Sequence, residues 1–247
     1  MLLDGLHLVE MAVTSGVIPE VVAFAAALLD RDPAAASLAT RLERLGCRVV
    51  QVPQAVADAM SPVRTPSGVV AIAPAPPCAW ARVLAAQPAL VVVAVDVQDP
   101  GNLGAVVRVV DAAGGTGVVC AGRSADPFGW KALRGAMGSA FRVPLVREPD
   151  AAAAVARLRA AGLRVLATEG GATLAPYDVD LRTALAVLVG NEGQGLEPEV
   201  ARLADARIGI PMRAGVESLN VATATAVIAY EARRQRGARA ALDREHP

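Results

Sequence analysis

Apolar residues follow two rhythms along the chain. Short runs of branched aliphatic residues, bounded by turn-formers, fall at 90–95, 116–120, 164–168, 185–189 and 207–210. Runs of that length read as strands. Between them the apolar positions shift to helical spacing, over 103–113, 151–161, 197–204 and 219–236. Strands alternating with helices predict an α/β unit built on a mostly parallel sheet. A smaller α/β unit precedes it. Leu6, Val9 and Val13 give a helical spacing within 5–15, and 34–45 reads as a helix closed by Gly46 as C-cap. Strands are expected at 21–24, 48–52 and 68–73. The Pro74-Ala75-Pro76-Pro77 stretch separates the two units. The division is residues 1–76, a linker over 77–88, and a second domain over 89–247.

Composition narrows the class. Of 247 residues, 54% are hydrophobic, enough for a sizeable core, and much of that share is alanine. The longest branched aliphatic run, Leu90 to Val95, is far below the roughly 20 apolar residues of a membrane span. Met1-Leu2-Leu3-Asp4 lacks a basic start and a signal-type apolar segment. A soluble, cytoplasmic protein is expected, with no membrane partner. The 24 basic and 24 acidic residues cancel, so any contact with nucleic acid must use a local patch. Lys131 is the only lysine; biased nucleotide composition accounts for that preference for arginine. Cys47, Cys78 and Cys120 are far apart and form no CxxC pair, so no metal site is expected and a reducing compartment is. The two histidines, His7 and His246, lie near opposite ends, which argues against a catalytic triad or a histidine metal cluster.

Ligands in parallel sheets bind beyond the carboxyl ends of strands, and three segments there carry unusual residues. The first is Asp96-Val97-Gln98-Asp99-Pro100-Gly101-Asn102-Leu103-Gly104, followed by Arg108. It reads as a tight turn, a helix capped by Asn102, and Arg108 in that helix's second turn. An ordinary cap with a solvated arginine accounts equally well for it. The second is Gly190-Asn191-Glu192-Gly193-Gln194-Gly195-Leu196, where glycine permits close backbone approach to a ligand, or simply a flexible turn. The third is Ile210-Pro211-Met212 with Glu217-Ser218-Leu219-Asn220, in which Ser218 is expected to cap the last helix. The G-x-G-x-x-G and P-loop patterns are absent, which weighs against a nucleotide-dependent oxidoreductase.

In this order, the three segments resemble the SpoU–TrmH superfamily of RNA 2′-O-ribose methyltransferases, over residues 90 to 236. Its blocks are Asp-Pro-x-Asn-x-Gly…Arg, Asn-Glu-Gly-x-Gly-Leu and Ile-Pro-Met…Ser-Leu-Asn. The N-terminal unit is more loosely similar to the family's small RNA-binding domain, of ribosomal-protein-like fold, through Leu3-Asp4-Gly5…Val9-Glu10 and Thr65-Pro66-Ser67-Gly68-Val69. On that comparison the chain begins inside the domain's first strand.

The resemblance implies a trefoil knot in the C-terminal sheet domain, S-adenosylmethionine as cofactor, a structured RNA substrate and a homodimer. It places the cofactor against Thr168, Gly170, Gly190, Asn191, Gly193, Ile210 and Leu219, largely through backbone and apolar surface. It gives catalytic or positioning roles to Asn102, Arg108, Glu192, Ser218 and Asn220. Arg108 would hold phosphate and stabilise a developing alkoxide, since guanidinium stays protonated. Asn102 would orient Arg108 or the hydroxyl, and Glu192 would anchor its loop or aid polarisation. Ser218 and Asn220 would fix the third loop and the substrate ribose. Ribosomal RNA is the favoured substrate. Transfer RNA, and a non-catalytic RNA-binding relative, remain the alternatives.

Overall fold

The computed structural model of the chain describes residues 1–191 and 193–237. Glu192 and His246, both singled out above, lie outside the described residues. Near the N-terminus, β1 (Leu2–Asp4) leads through α1 (Leu6–Thr14) to β2 (Val21–Ala25). Then α2 (Ala26–Arg31) and α3 (Pro33–Arg44) carry the chain to β3 (Arg48–Val52), and α4 (Gln54–Met60) to β4 (Val69–Ile72). The strands form one sheet in the order β1-β4-β2-β3. The β2–β3 pair is parallel, and β4 runs antiparallel to both neighbours. The helical spacing expected in 5–15 is real: Leu8, Val9, Ala12 and Val13 are the buried face of α1.

The stretch 77–88, expected to be a linker, is mostly exposed. It contains one helical turn, α5 (Trp80–Val83), whose Val83 is fully buried. Trp80 of the same turn lies under the Arg157 guanidinium, 5.2 Å from the ring centre.

The second sheet follows β5 (Leu90–Val95), α6 (Pro100–Ala112), β6 (Gly117–Ala121), α7 (Trp130–Ala136), β7 (Leu145–Glu148) and α8 (Ala151–Ala160). It continues with β8 (Arg164–Thr168), β9 (Leu185–Val189), α9 (Pro198–Ala201), β10 (Ala206–Ile208) and α10 (Val221–Gln235). The order is β10-β8-β9-β5-β6-β7, and every pairing is parallel. The chain builds one half outward from β5, then crosses back to build the other. That reversal at β5 and β9 leaves a crevice at their carboxyl ends. Every residue of β5 and of β9 is buried, as strands covered on both faces require.

Several boundaries differ from expectation. Two elements of the second half are shorter: α9 is a single turn rather than 197–204, and β10 stops at Ile208 rather than residue 210. Gly209 N donates to Leu174 O instead of continuing the ladder, and Pro211 has no N–H to give. Asp99, not Asn102, caps α6, its carboxylate accepting from Asn102 N at 2.8 Å with Pro100 at the first helical position. Arg108 therefore begins the third turn, not the second. Likewise Asn220, not Ser218, caps α10, so that helix starts at Val221 rather than 219.

α6 is the structural hub of the sheet's helical face. It packs against both α7 and α10. Gly104 permits the first contact: a Cβ there would lie 2.2 Å from Ala132 O of α7. Beyond α7, Gly138 lies against Met11 of α1, and both sheets share one continuous apolar core.

The end of α10 is fastened from beneath. The Arg236 guanidinium donates to Leu181 O at 3.0 Å, Pro88 O at 2.9 Å, Ala89 O at 3.0 Å and Thr183 O at 2.7 Å. These carbonyls belong to the approaches to β5 and β9, so one side chain ties the last helix to the amino ends of the two central strands. Burial lowers the Arg236 pKa below the usual guanidinium value. A hydrogen bond to a charged group contributes about 1.5–3 kcal/mol net of exchange with water, and several made by one side chain do not add. Replacing Arg236 by Leu should cost about 3 kcal/mol in urea unfolding. Replacing it by Lys should recover less than half, because an ammonium lacks the planar fork that reaches four carbonyls.

Candidate active site

Three connections meet at the carboxyl ends of β8, β9 and β10. After β8, Glu169 N donates to Ile208 O at 2.9 Å, and Thr168 Oγ1 donates to Leu188 O at 3.0 Å. The first loop is thereby pinned to both neighbouring strands. After β9 the chain doubles back at once: Asn191 N and O pair with Gly195 O and N at 3.1 and 2.9 Å. Within that turn, Asn191 Oδ1 accepts from Gly193 N at 2.8 Å, while its Nδ2 donates to Asp96 O at 3.1 Å. After β10, residues 209–220 run back across the same end to reach α10.

Together these loops enclose a cavity of about 320 Å³. Thr168, Gly170, Gly190, Asn191, Gly193, Ile210 and Leu219, dispersed through the sequence, all line it, and so does Ser218. Its polar lining combines the glycine backbone with Thr168, Glu169, Gln194, Glu217 and Ser218. Its inner wall is apolar, formed by Val189, Ile208, Val221 and Ile228 among others. Ile208 and Ile228 carried no motif signal, whereas Val189 and Val221 adjoin the second and third segments. Val221, Ala224 and Ile228 do share one face of α10 by their spacing, which a helical reading of 221–228 reveals only once the ligand side is known.

Gly190 needs a different explanation from ligand access. A Cβ on it would stand 2.2 Å from Gly195 C and 2.4 Å from Leu196 N. The glycine is required by the loop's own backbone, so a larger residue would unfold the turn rather than fill the cavity.

Beside the cavity, Asn220 Nδ2 donates to Asn102 Oδ1 at 2.9 Å, while Asn220 Oδ1 accepts from Ala222 N and Thr223 N at 2.9 and 3.3 Å. One amide thus caps α10 and reaches 118 residues back to the first turn of α6. Arg108, roughly 9 Å farther along that helix at 1.5 Å per residue, is exposed. It has no hydrogen bond or ion pair among the described residues, so Asn102 does not hold it directly. Ser218 is exposed at the mouth.

The thiols offer no nucleophile here. None of the three cysteines lines the cavity, and burial pushes Cys120 up to about 12. Burial also raises Cys47 and Cys78. Among the described residues, no group of three or more metal-ligating side chains is assembled, and no helix is long and apolar enough to cross a membrane.

This geometry has close counterparts. Residues 89–230 match the model of the SpoU rRNA methylase family. The 23S rRNA (guanosine(2553)-2′-O)-methyltransferase RlmP of Bacillus subtilis is 34% identical over 236 residues, covering 94% of this chain and 88% of that protein. The SpoU methyltransferase AviRb from Streptomyces viridochromogenes, solved in complex with AdoMet, superposes with a TM-score of 0.83 at 29% identity, covering 96% of this chain and 91% of that one. An AdoMet-bound rRNA methyltransferase from Sinorhizobium meliloti gives a TM-score of 0.79 at 31% identity, covering 94% and 86%. The chain therefore belongs to the SpoU rRNA methylase family and is an RNA methyltransferase.

Proposed function

We propose that this RNA methyltransferase, whose cofactor is S-adenosylmethionine, methylates the ribose 2′-oxygen of a nucleotide in structured ribosomal RNA. The observation that carries the reading is the Asn102–Asn220 hydrogen bond at the mouth of the three-loop cavity. It sets the cofactor side and the Arg108 helix in one frame.

The cavity suits the cofactor in size and chemistry. About 320 Å³ lies within the range of small-molecule sites. An apolar wall of Val189, Ile208 and Ile228 accepts a flat base. The backbone of Gly170, Gly190, Asn191, Gly193, Ile210 and Leu219, with the Thr168 hydroxyl, supplies polar contacts. When bound, S-adenosylmethionine supplies an electrophilic methyl group on a sulfonium. The chain's task is then positioning and electrostatics. Asn220 holds Asn102 in place, and Ser218 and Asn102 face the substrate ribose. Arg108, permanently charged, binds phosphate and stabilises negative charge growing on the 2′-oxygen.

Residues 1–76 recognise RNA, with exposed Arg41, Arg44, Arg48 and Arg64 available for phosphate contacts. Residues 77–88 join them to the methyltransferase domain at 89–247. The relative named for 23S rRNA matches across both units, which favours ribosomal over transfer RNA. The site of action is then the cytoplasm. We also assign a trefoil knot: residues 208 and 209 hydrogen-bond to Glu169 and Leu174, the two ends of one loop, which supports threading of the segment after β10 through it. A homodimer is supported by a groove of Tyr177, Pro211, Val227 and Tyr230, in which both tyrosines and Val227 are exposed beside the cavity.

Three outcomes are expected. A cognate ribosomal RNA fragment carrying a single 2′-deoxy substitution at the modified nucleotide should take up no labelled methyl group; label in that nucleotide would move the acceptor to the base. Arg108→Ala should lower methyl transfer ~100- to 1000-fold while calorimetry shows cofactor affinity within twofold of wild type. Near-normal turnover would displace the active site. Light scattering at micromolar concentration should give twice the 25.2 kDa chain mass, and a monomer mass would remove the dimer.

A further inference from the structure

Asp96 is one of two non-glycine residues among the described residues with a left-handed backbone, at φ 53°. It stands immediately after β5, where the first motif begins. Non-glycine residues held in this region cost of order 1 kcal/mol or more, and such strain collects where a fixed backbone direction is needed. The direction is visible here. Turned out of the strand, the Asp96 carbonyl accepts from Asn191 Nδ2 at 3.1 Å. Asn191 is the residue that closes the glycine turn after β9, through Gly193 and Gly195.

The carboxylate of Asp96 holds the twist. Its Oδ1 accepts from Arg123 N at 2.7 Å, in the loop after β6, and the Arg123 guanidinium lies 3.5 Å away, largely in solvent. Asp96 N donates to Ala121 O at 3.2 Å, and the neighbouring Val97 N donates to Ser124 Oγ at 3.0 Å. The loop after β6 is therefore the fixed support. The side chain of Asp96 grips that support, and its carbonyl grips the turn that lines the cofactor cavity.

We infer that Asp96 is a positioning residue for cofactor binding: its carboxylate, pinned by the Arg123 N–H, keeps its carbonyl aimed at Asn191 and thereby sets the glycine turn. This rests on the reading of the three-loop cavity as the cofactor site. The role has a particular signature. Asn tolerates the left-handed region and keeps a side-chain acceptor. Gly adopts that backbone without strain but has nothing for Arg123 to hold.

The test is calorimetric binding of S-adenosylmethionine to the ligand-free protein, with urea unfolding measured in parallel. Asp96→Asn should bind within threefold of wild type. Asp96→Gly should bind at least tenfold more weakly, while a single cooperative urea transition shows that it remains folded. Asn191→Ala should also bind at least tenfold more weakly. The Asp96→Gly, Asn191→Ala double variant should be no weaker than the worse single one, because both break the same linkage. Wild-type affinity in Asp96→Gly, or losses that multiply in the double variant, would overturn the role of Asp96 and leave the cavity assignment standing. Wild-type protein that binds no cofactor would instead remove the cavity assignment itself.

Discussion

The backbone of Gly190 runs so close to that of Gly195 that a Cβ has no place between them. This contact folds the chain back on itself directly beyond the central strand β9. Because β9 is buried along its length, the turn cannot drift sideways, and it stands at the crevice that the β5–β9 reversal opens. The loops after β8 and β10 then close over that crevice, each hydrogen-bonded to the other through residues 169, 174, 208 and 209. The cavity is what three backbone segments leave between them.

Two asparagines join this backbone frame to the rest of the domain by the same device. Each uses its amide oxygen locally and its amide nitrogen at long range. Asn191 holds Gly193 and reaches Asp96; Asn220 caps α10 and reaches Asn102. Aspartate at either place would keep the local bonds and lose the reach, since an ionised carboxylate only accepts. Glutamine, longer by a methylene, would hold the local N–H groups poorly. The residue type follows from needing both functions within one short side chain. In both cases the remote partner lies in the segment after β5, so that single segment registers the glycine turn at one end and α10 at the other.

Sequence and structure agree best where burial on both faces leaves no ambiguity. β5, β8 and β9 fall where their apolar runs end, and β3 of the smaller sheet does too. The agreement fails for elements that a periodic pattern barely marks. α7 is a seven-residue helix whose apolar pattern is broken by Arg134-Gly135, and β7 is a four-residue edge strand ending in Arg147-Glu148; the apolar pattern predicts neither. Both helix caps near the site were assigned to the wrong residue of a pair of good cap formers. At α6, Pro100 at the first helical position marks Asp99 as the cap. At α10, the choice of Asn220 over Ser218 follows from the tertiary bond to Asn102 as much as from local preference. The lining of the cavity was legible through its motif residues. Asp96 opens the first motif segment but its role leaves no mark in the sequence, because a left-handed backbone and a partner 95 residues away have no periodic trace.

The two sides of the site are built from different material, and this has a physical consequence. On the proposed function, the cofactor side consists of loop backbone, glycines and an apolar wall with a few polar side chains, so its shape is fixed mainly by how the loops cross. Most side-chain changes there alter volume, whereas a change at Gly190 alters the path of the chain. On the same proposed function, the RNA side consists of the side chains of Asn102, Ser218 and Arg108, on or beside helices α6 and α10 whose positions are set by packing. Gly104 against α7 and Arg236 beneath the central strands therefore act on the RNA side from a distance, by fixing where those helices stand. A displaced helix would misplace Asn102 without touching the cavity, and misplacement of about 1 Å is enough to cost two orders of magnitude in rate. Cofactor affinity and transfer rate are in this way separable properties of the same few strands, the first governed by loop crossings and the second by helix placement.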